Sequence, residues 1–204
     1  MSTQSKQLDI SPSDGKLAVL LPGLGAVGTT VIAGALAVQK GLAEPVGSFS
    51  QMGHLEGLNS RAEGPPVRQA LPLAKLDELV FGGWDIFQEN CFEAACQAGV
   101  LQDQHLEAVR PELEAIEPMP AVFDPEYVRN LDGPNVKESA TKMQAAEQLI
   151  EDIERFIDHH GCSRAVGIWC GSTEVHRPLG KVHQTLEQFE RGLRDNDRTI
   201  SPTM

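Results

Sequence analysis

Lys16-Leu17-Ala18-Val19-Leu20-Leu21-Pro22-Gly23-Leu24-Gly25-Ala26-Val27-Gly28-Thr29-Thr30 is an apolar run that breaks into three spaced glycines and then resumes at helical spacing. Leu17 to Leu21 reads as a buried parallel strand, and Val31 to Val38 places apolar and small residues on a helical repeat. Pro22 donates no ladder hydrogen bond and can end the strand. Gly41 is placed to close the helix. The spacing Gly23-x-Gly25-x-x-Gly28 has a mechanical reason in a dinucleotide-binding fold. One glycine makes the tight turn, the second lets the backbone approach a pyrophosphate, and the third lets helix and strand pack closely. A bare strand-to-helix turn uses the same residues, but the strand before and helix after are the context a nucleotide site requires.

Bulk properties narrow the partners. A chain of 204 residues with 41% hydrophobic content has the length for one substantial core. Its net charge of -12 argues against nucleic acid, since phosphate binding draws on clustered Lys and Arg that this chain lacks. A small anion remains admissible, because a glycine loop meets phosphate with backbone dipoles. The first sixteen residues are polar and no apolar stretch is long enough to span a bilayer, so the expectation is a cytoplasmic protein with no membrane partner. Cys91, Cys96, Cys162 and Cys170 are too scattered for a disulfide framework and read as reduced, buried thiols.

Residues 1–15 read as a flexible tail and 16–204 as one dinucleotide-binding domain. Pro45 to Ser50 suggests a second short strand, and Gln51 to Pro66, rich in Gly and Pro, a long loop. Leu76 to Phe81 predicts a strand that ends at Gly82-Gly83-Trp84-Asp85. Asn90 to Gly99 fits a helix with Phe92, Ala95 and Cys96 inward, and Asp103 to Ile116 another helix broken at Pro111. Pro118 to Phe123 is extended, with Asp124-Pro125 opening a helix. From Glu138 to His160, Met143, Ala146, Leu149, Ile150, Ile153, Phe156 and Ile157 form one apolar stripe, ended by Gly161. Arg164 to Cys170 is a strand opening into Gly171-Ser172-Thr173-Glu174, and Val182 to Leu193 a last helix with Leu186, Phe189 and Leu193 inward. This alternation predicts a doubly wound α/β, Rossmann-like fold, its sheet mainly parallel with helices on both faces.

Among chemical groups, Asp85 stands at a strand end, where a carboxylate can accept hydrogen bonds from a ribose diol; a helix cap before Ile86 is the alternative. It lies far beyond the usual ~20-residue spacing from the glycines, which Glu44 meets more nearly. Ser172 and Thr173 offer hydroxyls where a strand opens, or cap the next turn. His159 and His160 at a helix end answer to the helix dipole, and no metal-ligand set is spaced nearby. No complete catalytic constellation is present.

Four ordered stretches, Gly23 to Thr30, Val80-Phe81-Gly82-Gly83-Trp84-Asp85-Ile86, Pro118-Met119-Pro120-Ala121-Val122-Phe123-Asp124 and Ile168-Trp169-Cys170-Gly171-Ser172-Thr173-Glu174, resemble blocks of the inositol-3-phosphate synthases. The Phe-Gly-Gly-Trp-Asp block is the most specific, and the resemblance spans Leu17 to Thr203. It implies an isomerase of inositol and phospholipid biosynthesis that binds NAD and converts glucose 6-phosphate to 1D-myo-inositol 3-phosphate by internal redox and an aldol-type cyclisation. It implies cofactor contacts from Gly23, Gly25, Ala26, Val27, Gly28 and Thr29 at the loop, Asp85 at the ribose, and Ala121, Val122, Ser172 and Thr173 along the remaining cleft. Relatives carry an asparagine-rich turn at Ala26-Val27 and Thr-Ala-Asn at Cys170-Gly171-Ser172, so backbone contacts carry over there better than side-chain ones. Family members run on well past the block matching Ile200-Ser201-Pro202, and their catalytic residues and oligomer contacts belong to that further half. The resemblance thus implies no catalytic residues in this chain, little activity by itself, and a homo-oligomer at full length. A dehydrogenase module and a free-standing NAD-binding or regulatory domain are the alternatives.

Overall fold

A computed structural model describes residues 14–56 and 63–203, so the tail expected over 1–15 lies, as far as residue 13, outside the described residues. Along the chain run β1 (Lys16–Pro22), α1 (Ala26–Gln39), α2 (Phe49–Met52), β2 (His54–Glu56), β3 (Glu63–Pro66), α3 (Val67–Ala70), β4 (Leu79–Asp85) and α4 (Cys91–Ala98). There follow α5 (Asp103–Glu107), α6 (Arg110–Glu114), β5 (Met119–Pro120), α7 (Lys142–His160), β6 (Cys162–Gly167) and α8 (Leu186–Arg194). The main sheet has the order β5-β4-β1-β6 with every pairing parallel. Numbered by their appearance in that sheet, these strands read 3-2-1-4, the Rossmann half-fold order. Helices cover both faces, as the alternation predicts.

The alternation of side chains along β1 divides the core in two. Val19 and Leu21 face α1, α4, α5 and α6 through Ile32, Leu36, Ala95, Leu106 and Leu113. Ala18 and Leu20 face α7 through Leu149, Ile153 and Phe156, joined by Trp84 and Cys162. Both sides of the strand are therefore covered, which is why it reads as a continuous apolar run. Cys91 lies in the first cluster, and burial pushes its thiol up to about 12, which keeps it protonated and unreactive. Cys96, expected inward, is exposed; all four thiols are free.

Several expectations change. Pro45 to Ser50 is no strand: Gly47 has φ +85°, the Ser48 N–H donates to Pro45 O, and a single helical turn follows. The expected loop after Gln51 contains an antiparallel hairpin, with His54 opposite Pro66 and Glu56 opposite Glu63. The strand expected from Leu76 begins instead at Leu79 and runs through Gly82 and Gly83 to end at Asp85, the strand end expected of that residue. A Cβ on Gly83 would lie 2.1 Å from Leu21 O and one on Gly82 2.4 Å from the Phe156 ring, so these glycines serve close approach within a strand, not a turn. Leu76 to Glu78 forms a 3-10 turn before it. The helix expected over Asp103 to Ile116 is two short ones that part at Ala108-Val109, with Pro111 in the first turn of the second. Asp124 caps only one turn, its carboxylate accepting the Glu126 N–H. α7 starts at Lys142, not Glu138, because Thr141 accepts the Gln144 N–H as N-cap. Ile150 and Leu186, expected inward, are exposed.

A polar network is buried between β4 and α7. The Trp84 indole donates to Asp152 Oδ2 at 2.8 Å, and Lys137 Nζ lies 2.7 Å from the same oxygen. Asp152 and Lys137 are only 5% and 11% exposed, so removing one partner strands the other in a poorly solvated place. Asp152→Ala is expected to lower the unfolding free energy by about 3 kcal/mol, read from urea unfolding. A loss below about 1 kcal/mol would reduce the network to the level of a surface pair.

Candidate functional site

The polypeptide leaves β1 in a turn that only glycine accommodates. Gly23 has φ +96°, donates its N–H to Trp84 O at 2.8 Å, and would carry a Cβ 2.8 Å from Gly171 N. Gly28 packs beneath it: a Cβ there would stand 2.6 Å from Gly23 O. Gly25, the N-cap of α1, has ordinary φ and open space where a Cβ would point. The three glycines thus divide into a turn, an open approach and a tight packing contact. That is the division the motif predicts.

The first turn of α1 carries no acidic side chain, and the N–H groups of Ala26, Val27 and Gly28 have no carbonyl four residues earlier within the helix. Together with the helix dipole they form a positive end, exposed at Gly25, Ala26 and Val27. Thr29 differs: it is 1% exposed, its N–H and hydroxyl both donate to Gly25 O, and it braces the loop from inside. Thr30 repeats that brace on Ala26 O at 2.6 Å.

Asp85 ends β4, beside the loop. Its Oδ2 accepts the Leu24 N–H at 2.7 Å and its Oδ1 accepts the Phe87 N–H at 3.2 Å. The hairpin and short helices inserted between α1 and β4 explain the long sequence gap, for Asp85 nevertheless ends the second strand of the sheet order. Glu44, nearer in sequence, is an exposed loop residue after α1. Beyond β6, the Cys170 and Gly171 N–H groups both donate to Pro22 O, which brings Ser172 and Thr173 to the loop's other flank. Burial raises the Cys170 thiol. Tyr127, 1% exposed, holds that flank: its carbonyl accepts the Val175 N–H, its hydroxyl donates to Arg198 O, and the Arg177 guanidinium lies 4.9 Å from its ring centre. Ala121 and Val122 stand one strand farther, past β5, where a cavity of about 400 Å³ opens between Val122, Phe123, Lys142, Leu149, Phe189 and Ile200.

All the expected positions therefore lie along one edge of the sheet, with the glycine loop, Asp85 and Gly171 in direct contact. Sequence reading missed Asn135 and the Trp84–Asp152–Lys137 network. A single Asn after Gly133-Pro134 gives no pattern; an Asp on the α7 stripe, where an apolar residue is due, was the one available signal for the network.

A family model described as myo-inositol-1-phosphate synthase, for an NAD-binding domain, matches residues 17–204. The chain is 43% identical over 198 residues to inositol-3-phosphate synthase 1 of Bacteroides thetaiotaomicron, covering 96% of this chain and 46% of that protein. It is 30% identical over 204 residues to the probable inositol 3-phosphate synthase isozyme 3 of Arabidopsis thaliana, covering 92% of this chain and 40% of the relative. The crystal structure of inositol-3-phosphate synthase from Caenorhabditis elegans superposes with a TM-score of 0.83 at 25% identity, over 93% of this chain and 41% of that one. The chain thus spans less than half the length of these relatives.

The geometry separates the three glycines experimentally. Gly23→Ala and Gly28→Ala are each expected to cost about 2 kcal/mol or more, the first from its positive φ and overlap with the Gly171 backbone nitrogen, the second from overlap with Gly23 O. Gly25→Ala is expected to stay within about 0.5 kcal/mol of the parent. Urea unfolding of the three variants reads the contrast, and equal losses would contradict it.

Proposed function

The chain belongs to the myo-inositol-1-phosphate synthase family, and from that membership we propose that it is the NAD-binding portion of an inositol-3-phosphate synthase. The observation that carries the reading is the joint placement of a glycine loop at the end of the first sheet strand and a carboxylate at the end of the second. The residues fit the cofactor. Open space at Gly25 admits a pyrophosphate, and the N–H groups of Ala26, Val27 and Gly28 are oriented to hold it. Asp85 uses one acceptor site on each oxygen for Leu24 and Phe87, and a carboxylate's remaining lone pairs suffice for a ribose diol. The same charge repels a 2'-phosphate, so NAD is favoured over NADP. Ala121 and Val122 form one wall of the cleft and Ser172 and Thr173 the other.

When bound, NAD would supply the hydride acceptor and donor that carry glucose 6-phosphate through oxidation, aldol-type closure and reduction to 1D-myo-inositol 3-phosphate without net redox change. In this reading the chain's residues bind and orient the cofactor; the groups acting on the sugar phosphate, and the homo-oligomer contacts, belong to the length of the relatives that this chain does not span. Exposed Val166, Ile168 and Trp169 at and just beyond β6 support that division, since such apolar surface at a sheet edge ordinarily packs against further structure. Among the described residues no helix is long and apolar enough to cross a membrane.

Calorimetric titration is expected to show NAD binding preferred over NADP, lost in Gly25→Val and weakened about tenfold in Asp85→Asn with reduced discrimination. Unchanged affinities in Asp85→Asn would remove that carboxylate from the ribose. Incubated with NAD and glucose 6-phosphate, the 204-residue chain is expected to release no inositol phosphate. Turnover would overturn the division of roles.

A further inference from the structure

Residues 133–137 cross the sheet edge where β4 and β5 end. Pro120, in register with Asp85, has no N–H to give, and Ala121 gives its own N–H to Asn135 O at 3.0 Å. The two strand ends would therefore part at the rung that holds Asp85. Asn135 fills the gap: its Nδ2 lies 2.9 Å from Asp85 O, 3.3 Å from Phe87 O and 3.4 Å from Pro118 O, so one amide spans carbonyls of both sides. Its backbone N–H donates to Ile86 O at 2.8 Å. The Lys137 N–H donates to Ala121 O at 2.9 Å, and Lys137 Nζ is anchored below by Asp152, which also accepts the Trp84 indole N–H. The segment thus grips residues 85 to 87, 118 and 121 by main chain and side chain together. Gly133 lets it lie this close, since a Cβ there would stand 2.3 Å from Ile86 O.

We propose that Asn135 is a positioning residue for the adenosine half of NAD. It fixes the backbone of Asp85 and the distance from it to Ala121, the two positions that flank the ribose and adjoining wall, without touching the cofactor. The inference rests on the cofactor reading above. Its physical content is that a carboxylate selects a ribose diol only if its backbone is held; Asp85's own contacts fix its oxygens toward Leu24 and Phe87, whereas its carbonyl depends on Asn135.

The test is calorimetric titration of the chain, Asn135→Ala and Asn135→Asp with NAD, ADP-ribose and NADP, at a temperature where circular dichroism shows all three fully folded. Both substitutions remove the amide donor. The expected result is that NAD and ADP-ribose weaken by the same factor, about tenfold, while NADP, which gains nothing from Asp85, changes less than about twofold. A general loosening of the edge would instead weaken all three ligands together, and that outcome overturns the positioning role. So does unchanged NAD affinity in either variant. A parent chain that binds none of the three ligands overturns the cofactor reading and this inference with it, whereas a parent that binds NAD while the variants match it overturns the inference alone.

Discussion

The turn at Gly23 is the constraint from which the arrangement of the sheet edge follows. Its N–H is tied to Trp84 O on one side, the Gly171 backbone lies against it on the other, and its carbonyl roofs Gly28. Three segments from distant parts of the sequence thus meet around a residue with no side chain. A methyl group anywhere in this knot would push apart β1, β4 and the segment after β6, and with them the loop, Asp85 and Ser172. The Leu24 N–H to Asp85 bond closes the same knot one residue later, so that the acidic group is oriented by the loop it accompanies. A site made this way needs no cationic side chain to meet a phosphate, which reconciles a net charge of -12 with an anionic cofactor.

The opposite face of the sheet holds its strand ends by different means. Asp152 stands on α7 among apolar neighbours, and desolvating it is unfavourable unless its oxygens are fully occupied. Trp84 and Lys137 occupy one oxygen, and Arg155 approaches the other at 3.4 Å. Because Trp84 adjoins Asp85 and Lys137 belongs to the segment bridging β4 and β5, the buried charge couples helix packing to the geometry of the cleft. An all-apolar contact of equal area would bury as much surface but would not specify where the strand ends lie along α7.

Where local chemistry decides the structure, the sequence was readable. Asn90 and Glu93 form a reciprocal cap and Gly99 takes the left-handed conformation, so α4 begins and stops where its residues predict. The same holds for Gly161 after α7 and for the strand, loop and helix around Gly23. Local pattern does not give the reason for glycines whose role is tertiary. Gly82 and Gly83 sit inside β4, where Phe156 and Leu21 approach closer than a Cβ would allow. The acid-spacing rule pointed toward Glu44 because it counts residues, whereas the physical requirement is the end of the neighbouring strand, and the inserted hairpin separates the two. Thr29 sits at a motif position but turns its hydroxyl to Gly25 O, a choice that only the finished helix makes visible. Asn135 had no pattern at all, since its partners are backbone carbonyls that any sequence supplies.

The asymmetry of the sheet bears on how labour is divided in the proposed enzyme. On the β4 and β5 side every strand end is braced, by Asn135, by Lys137 and by the buried Asp152. On the β6 side the chain passes through half-exposed Val166, Ile168 and Trp169 to exposed Ser172 and Thr173, and beyond the Cys170 and Gly171 N–H bonds to Pro22 O it is braced by a tyrosine beneath a guanidinium. A dinucleotide laid across this edge from Asp85 toward Ser172 would have its adenosine on the rigid side and its reactive ring on the open one. Hydride transfer to a sugar requires that water be excluded at the moment of reaction, while ribose recognition requires only a fixed carboxylate. In the proposed enzyme the braced side would hold the ribose with residues of this chain. The open side would need a cover, and the apolar surface beside it is suited to receive one.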